Sequence, residues 1–186
     1  MSAPVAGLLL AAGSGRRFGG PKALARDGAD GEPWVLRALR SLAGCDEVLV
    51  VLGAAAVQVR AVLPAGVRSV VNPDHASGMG GSLRVGLAAL GSEVQAALVQ
   101  LVDLPDVTAA VVDRVLAQGG AGPAVLVRAA YRGTPGHPVL LGRDHWAGVV
   151  ELATGDRGAG PYLARHPARL VECGDLAGGA DVDRPG

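Results

Sequence analysis

The sequence predicts an α/β fold: one domain whose helices cover both faces of a mostly parallel sheet, a Rossmann-like three-layer sandwich. Two observations carry that expectation. Near-continuous apolar runs recur at Val5–Ala11, Glu47–Leu52 and Ala96–Val102, the pattern of strands buried on both faces. Between them lie segments whose apolar residues repeat at helical spacing, so strand and helix alternate. Apolar residues make up 49% of the chain but aromatics only 3%, so Val, Leu and Ala must build the core.

The elements follow in order. Val5 to Ala11 is the first strand. Pro33 suits a helix start, and Val35, Leu39 and Leu42 then share a face, with Arg37 and Arg40 between them. Glu47 to Leu52 is a strand, Ala54 to Leu63 a helix closed by Pro64, and Val67 to Val71 a strand. Leu83, Leu87 and Leu90 form the apolar stripe of a helix that opens near Gly81 and Ser82. The strand Ala96 to Val102 ends at Asp103. Thr108 can cap a helix whose Val111, Val112, Val115 and Leu116 face inward. Further strands are expected at Ala124–Arg128, His137–Leu141 and Leu170–Cys173, and helices at Asp144–Leu152 and Gly158–Arg165. Gly119 to Pro123 reads as a connection between two parts of one domain spanning 1–186, about 1–118 and about 119–186. The Gly- and Asp-rich tail from Gly174 is expected to be poorly ordered at its very end.

Composition narrows the function classes. Charged residues are 18% and cancel to a formal net charge of zero, which gives no field to gather a nucleic-acid polymer. Cys45 and Cys173 make no CxxC and no metal-type spacing, so they read as ordinary thiols in a reducing compartment. Met1-Ser2-Ala3-Pro4 lacks the basic start of a signal peptide. No apolar run approaches the roughly 20 residues that span a bilayer. The expectation is a soluble, cytoplasmic protein with a small anionic partner, no nucleic acid and no membrane.

The chemistry concentrates just past the first strand, in Ala12-Gly13-Ser14-Gly15-Arg16-Arg17-Phe18-Gly19-Gly20-Pro21-Lys22. Gly15 and Gly20 have Walker A spacing, but Pro21 stands where the lysine belongs, and Ala23 replaces the magnesium-binding hydroxyl. Gly13 and Gly15 begin a dinucleotide fingerprint, but Phe18 takes its third glycine, and Leu52-Gly53 supplies no carboxylate for a ribose. Glycines at 13 and 15 let the backbone approach phosphate oxygens. Arg17 can grip β- and γ-phosphate oxygens with its planar fork, and Lys22 brings a compact charge towards the α-phosphate. Arg16 is expected to be solvated.

The surviving pattern, strand-A-A-G-x-G-x-R-x-G-x-P-K, resembles the MobA-like NTP transferase family. Within it the loop is closest to the molybdenum-cofactor nucleotidyltransferases. The resemblance implies a fold of the nucleotide-diphospho-sugar transferase type, with an NTP-binding half followed by an acceptor-binding half. It implies nucleotide contacts from Leu10, Ala11, Ala12, Gly13, Ser14, Gly15 and Arg16. Asn72-Pro73…Gly78…Ser82-Leu83 looks like a second family segment, in which Gly80 and Ser82 would meet the nucleobase; Ser82 could equally be an ordinary N-cap. Asp103, in Leu101-Val102-Asp103-Leu104-Pro105, matches the family's metal-holding aspartate. Asp183 matches its partner, with Asp181 in reserve, although Arg184 replaces the family's threonine. Gly136-His137-Pro138 and Gly155-Asp156-Arg157-Gly158 resemble acceptor-side segments, which makes His137 and Asp156 acceptor-site candidates.

The reaction so implied is attack by an acceptor phosphate on the α-phosphorus of an NTP, releasing pyrophosphate. A phosphomonoester with second pKa of about 6 is already largely dianionic and needs no base. Mg²⁺, Arg17 and Lys22 would neutralise charge. In the resembling family L-A-A-G loops accompany CTP and L-A-G-G loops GTP, so Ala12 favours CTP. Molybdopterin is the implied acceptor, with molybdoenzymes or their insertion chaperones downstream. A sugar phosphate or other small phosphorylated metabolite as acceptor, or a non-catalytic nucleotide-binding accessory protein, remain alternatives.

Overall fold

The computed structural model describes residues 3–27 and 31–182. Seven strands form one sheet: β1 (Val5–Ala11), β2 (Glu47–Leu52), β3 (Arg68–Val71), β4 (Ala96–Leu101), β5 (Leu126–Tyr131), β6 (Thr134–Gly142) and β7 (Arg169–Glu172). The helices are α1 (Trp34–Ser41), α2 (Ala56–Val62), α3 (Met79–Ala89), α4 (Ala109–Gly119), α5 (Arg143–Leu152) and α6 (Gly160–Arg165). The spatial order is β3-β2-β1-β4-β6-β5-β7. β6 runs antiparallel to β4 and β5, and the other pairings are parallel. The expected α/β architecture with a mostly parallel sheet is what forms.

Alternation along β1 explains the three layers. Leu9 and Ala11 face one side, where Val35 of α1, Leu42 just after it, and Val111, Val112 and Val115 of α4 cover them. Leu8 and Leu10 face the other, under Leu83 and Leu87 of α3 and Trp146 and Val149 of α5. Each such leucine contributes about 1.5–3 kcal/mol on leaving water. α3 lies so close to the sheet that a Cβ on Gly86 would come within 2.7 Å of Leu8 and 2.9 Å of Val51. A bulkier residue there would push the helix off both strands.

The sheet's order positions the site. β1 sits between β2 and β4, so the chain leaves β1 in one direction and later returns on its other side. That reversal opens a crevice at the C-terminal ends of β1 and β4. Register places Leu10 beside Leu101, which sets the Gly-rich loop next to Asp103.

Some local expectations shift. α3 begins at Met79, because Gly78 at φ +108° makes the turn into the helix. Thr108 occupies the N-cap position of α4 but makes no side-chain capping bond. β5 and β6 are longer than their apolar cores suggest and meet at Arg132-Gly133, both at positive φ, as a two-residue hairpin turn requires. The Glu172 carboxylate accepts the amides of Arg132, Gly133 and Gly174 at 2.8, 2.9 and 2.8 Å. Those amides hold its carboxyl below the usual range. Cys45 and Cys173 are free thiols. Burial, then the Asp46 and Asp113 carboxylates, push Cys45 up to about 12, so it is no nucleophile. No helix among the described residues is long and apolar enough to cross a membrane.

Candidate active site

The loop after β1 is held by one carbonyl. Gly15 O accepts the amides of Phe18, Gly19 and Gly20 at 2.9, 2.9 and 3.2 Å. Gly15 itself sits at φ +58°, and a Cβ there would overlap the Gly20 carbonyl. Phe18 is anchored outside this ring, its side chain 5.2 Å from the Trp34 ring of α1. Arg16 and Arg17 are left exposed on the rim. The chain then turns into a short 3-10 segment, Lys22–Leu24, whose Lys22 Nζ donates to Asp103 Oδ2 at 2.9 Å. Their side chains are only 14% and 21% exposed. An ion pair 81 residues apart in sequence thus closes the floor of the crevice.

Above it lies a cavity of about 450 Å³, large enough for a nucleotide-sized ligand. Leu10, Gly13, Ser14, Gly15, Arg16, Arg17, Lys22, Ser82, Asp103 and Asp156 all line it. Residues from four separate stretches of the sequence therefore converge. Three cationic side chains face two carboxylates on its wall, a balance suited to a polyanion. Among the described residues no cluster of three His, Cys, Asp or Glu side chains could hold a metal ion alone.

Ala11, Ala12 and Gly80 are not among its lining residues. Ala11 and Ala12 are buried behind the cavity. The Ala12 methyl lies towards Gly53, where an added Cβ would come 2.8 Å from it and 2.5 Å from the His75 Cβ. His75 itself lines the cavity. Gly80 is buried against the backbone of Ala153 and Thr154, where a Cβ would stand 2.8 Å from each. Ser82 is neither helix cap nor helix start. It is the fourth residue of α3, buried, and its hydroxyl accepts from Asn72 Nδ2 at 3.1 Å. Asn72 in turn accepts the Asp74 amide at 3.0 Å, so Ser82 braces the segment that carries His75.

Asp183 lies outside the described residues. The Val182 amide donates to Asp103 O at 3.1 Å, so the chain returns to this strand end before reaching it. Asp181 is exposed. His75 and Met79, to which the sequence pattern assigns no role, both line the cavity. The clue was their place inside the Asn72–Leu83 segment.

His137 lines a second cavity of about 110 Å³, which shares Leu10 and Met79 with the first. Burial, then the Arg128 charge, push its imidazole down to about 4 from the ordinary 6.5. It is neutral at neutral pH and is no cationic ligand for a phosphate. The unfolded chain binds a proton that the folded chain does not between those values. Stability is therefore expected to fall as pH drops from 6.5 through about 4. Urea melts from pH 7.5 to 4.5 test this: His137→Gln should flatten the slope, and an unchanged slope would refute the assignment.

Comparison with known proteins places the chain in a family. The model of the MobA-like NTP transferase domain matches residues 7–170. Nicotine blue oxidoreductase of Paenarthrobacter nicotinovorans is 38% identical over 193 residues, covering 96% of this chain and 92% of that one. Among solved structures, Rv0371c from Mycobacterium tuberculosis H37Rv superposes with a TM-score of 0.81 at 29% identity, over 99% of this chain and 95% of that one. A structure of Rv0371c in complex with manganese gives 0.75 at 29% identity, over 91% and 88%. A nucleotidyl transferase from Methanothermobacter shares the fold, with a TM-score of 0.76 at 22% identity over 97% and 92%. With one family model running along most of the chain and a relative this similar over nearly its full length, the protein belongs to the MobA-like NTP transferase family.

Proposed function

We propose that this protein transfers CMP from CTP to the phosphate of molybdopterin, releasing pyrophosphate. The observation that carries the reading is the Lys22–Asp103 pair beneath the Gly13–Arg17 loop, in a cavity of nucleotide size. The triphosphate lies along the loop, in the half up to about residue 118. Arg17 takes β- and γ-phosphate oxygens, and Lys22 stabilises charge on the α-phosphate as the P–O bond to pyrophosphate breaks. Because the attacking phosphate is already ionised, no side chain has to remove a proton. Asp156, on the second half of the chain, positions the acceptor at the cavity's edge.

The residues present suit Mg²⁺. That ion takes one or two carboxylates and completes its shell from phosphates and water, and Asp103 offers a carboxylate already facing one cation, Lys22. Asp103, with Asp183 as its partner, would hold it, and when bound it supplies positive charge to the triphosphate oxygens. The manganese complex of Rv0371c supports a divalent ion in this role. Cytosine as the base rests on the Leu10-Ala11-Ala12-Gly13 resemblance. The product would pass to a molybdoenzyme or its insertion chaperone.

A second reading follows from the name of the 38% identical relative, an oxidoreductase. Phe18 in place of the third fingerprint glycine and Gly53 at the end of β2 weigh against a nicotinamide dinucleotide. One experiment separates the readings: pyrophosphate release with each of four NTPs and Mg²⁺, against molybdopterin and a panel of phosphorylated metabolites. Release with CTP and molybdopterin is the expected result. Release with none, together with NADH or NADPH oxidation, would replace the proposal by the second reading; tight CTP binding without release would make the protein an accessory factor.

A further inference from the structure

The segment that follows β7 turns back across the molecule. Arg114 of α4 secures its start, donating to Glu172 O at 3.1 Å and to Asp175 Oδ2 at 2.9 Å. Leu176, Ala177 and Val182 pack on the core face that carries Leu9 and Val111. Gly179 sits at φ +67° over the Tyr131 ring, where a Cβ would come within 2.1 Å. The chain thus crosses from β7, past β5 and β6, to the C-terminal end of β4. There it is bonded to both ends of one turn. Asp106 Oδ2 accepts the amides of Gly178 and Gly179 at 2.7 and 3.0 Å, and Asp103 O accepts that of Val182 at 3.1 Å. Between these two points the turn is pinned from inside by the buried Leu104 and Val107. Asp106 is exposed, so water could solvate its carboxylate equally well. What its two bonds accomplish is to order the returning segment.

We propose that Asp106 is a positioning residue for the divalent ion: its clasp on Gly178 and Gly179 braces the turn that presents the Asp103 carboxylate. This rests on the reading of Asp103 as a metal carboxylate, and on no choice of base or acceptor. Asp103 is held at two places, its side chain by Lys22 Nζ at 2.9 Å and its carbonyl by the Val182 amide. Mg²⁺ demands near-ideal octahedral geometry, and a ligand whose backbone is fixed beforehand loses less freedom on binding. Asp106 does not touch the ion. It acts through the returning segment, as outer-shell hydrogen bonds do for metal ligands. Asp183 follows Val182 in the sequence, so the same brace fixes the chain one residue before that proposed ligand.

The test uses the full chain with Mn²⁺ alone as the probe. Free ion is counted by electron paramagnetic resonance, and amide exchange is read residue by residue by NMR. Asp106→Ala is expected to speed exchange of the Gly178, Gly179 and Val182 amides about tenfold or more. It should also weaken Mn²⁺ about tenfold, the lower end of the loss when an outer-shell partner is removed. Asp106→Asn keeps an oxygen that can accept both amides and should restore most of both properties. Gly179→Ala leaves the carboxylate in place but drives a Cβ into Tyr131, and should reproduce the losses of Asp106→Ala. Loosened amides with Mn²⁺ affinity unchanged would overturn the positioning role and leave the metal reading standing. Equal loss of Mn²⁺ in Asp106→Asn and Asp106→Ala, with the amides still protected, would overturn it by making Asp106 a ligand. No Mn²⁺ binding by the wild type would sink the metal reading, and the positioning role with it.

Discussion

Replacing Lys22 by methionine is expected to lower the rate of pyrophosphate release about 100- to 1,000-fold, the usual loss when one charge stabiliser of a transition state is removed. Its Nζ is fixed by Asp103 at 2.9 Å in a floor that is largely closed to water, so the charge is pre-positioned and little screened. Asp103→Asn should be as damaging, since it removes the proposed metal carboxylate and the carboxylate that accepts from Lys22 Nζ. Stability separates these roles from a merely structural one. Replacing Lys22 strands the Asp103 carboxylate and should cost about 1–2 kcal/mol, less than the loss for a fully buried pair because both groups keep some solvent. The double variant Lys22→Met/Asp103→Asn should recover part of that stability while staying inactive. Full activity in the double variant, read by pyrophosphate release beside a thermal melt, would show that the pair only braces the fold.

The second large effect concerns two glycines of one loop. Gly15→Ala is expected to abolish nucleotide binding. A side chain at φ +58° costs about 1–3 kcal/mol in backbone strain, and its Cβ would collide with the Gly20 carbonyl across the ring that Gly15 O closes. The loop must open, carrying Arg16 and Arg17 off the rim. Gly13 is different. Nothing lies within 4 Å of a Cβ placed there, and its φ is not in the left-handed region. Gly13→Ala should melt like the wild type yet bind CTP more weakly, because only a ligand can meet the added methyl. Equal loss of binding and of stability in both variants, measured by calorimetry and thermal melts, would mean that the loop is a structural turn.

Much of the site was legible because its constraints are local. Pro21 before Lys22 and Phe18 at the fingerprint position excluded two phosphate loops without any coordinates. Asp103 stood out as a carboxylate at the end of a buried strand. What local pattern could not give was direction. Ser82 looked like a helix start because Gly80 and Gly81 precede it, yet Gly78 makes the turn and leaves Ser82 buried on Asn72. His75 matched no motif position, yet packing beside Gly53 places it on the cavity wall. His137 and Asp156 looked like one acceptor site, but they face adjoining chambers.

The sequence by itself determined the alternation of strands and helices, the three layers and the kind of loop that follows β1. Periodicity, glycine freedom and proline restriction act over a few residues and need no partner. Only the tertiary structure decided that Lys22 meets Asp103, that β6 turns antiparallel beside β4, and that Glu172 secures the Arg132-Gly133 turn. It also gathered Arg128 and Arg157 around one cavity. Contacts between distant segments depend on how whole faces fit together, and no local pattern in the chain records that fit.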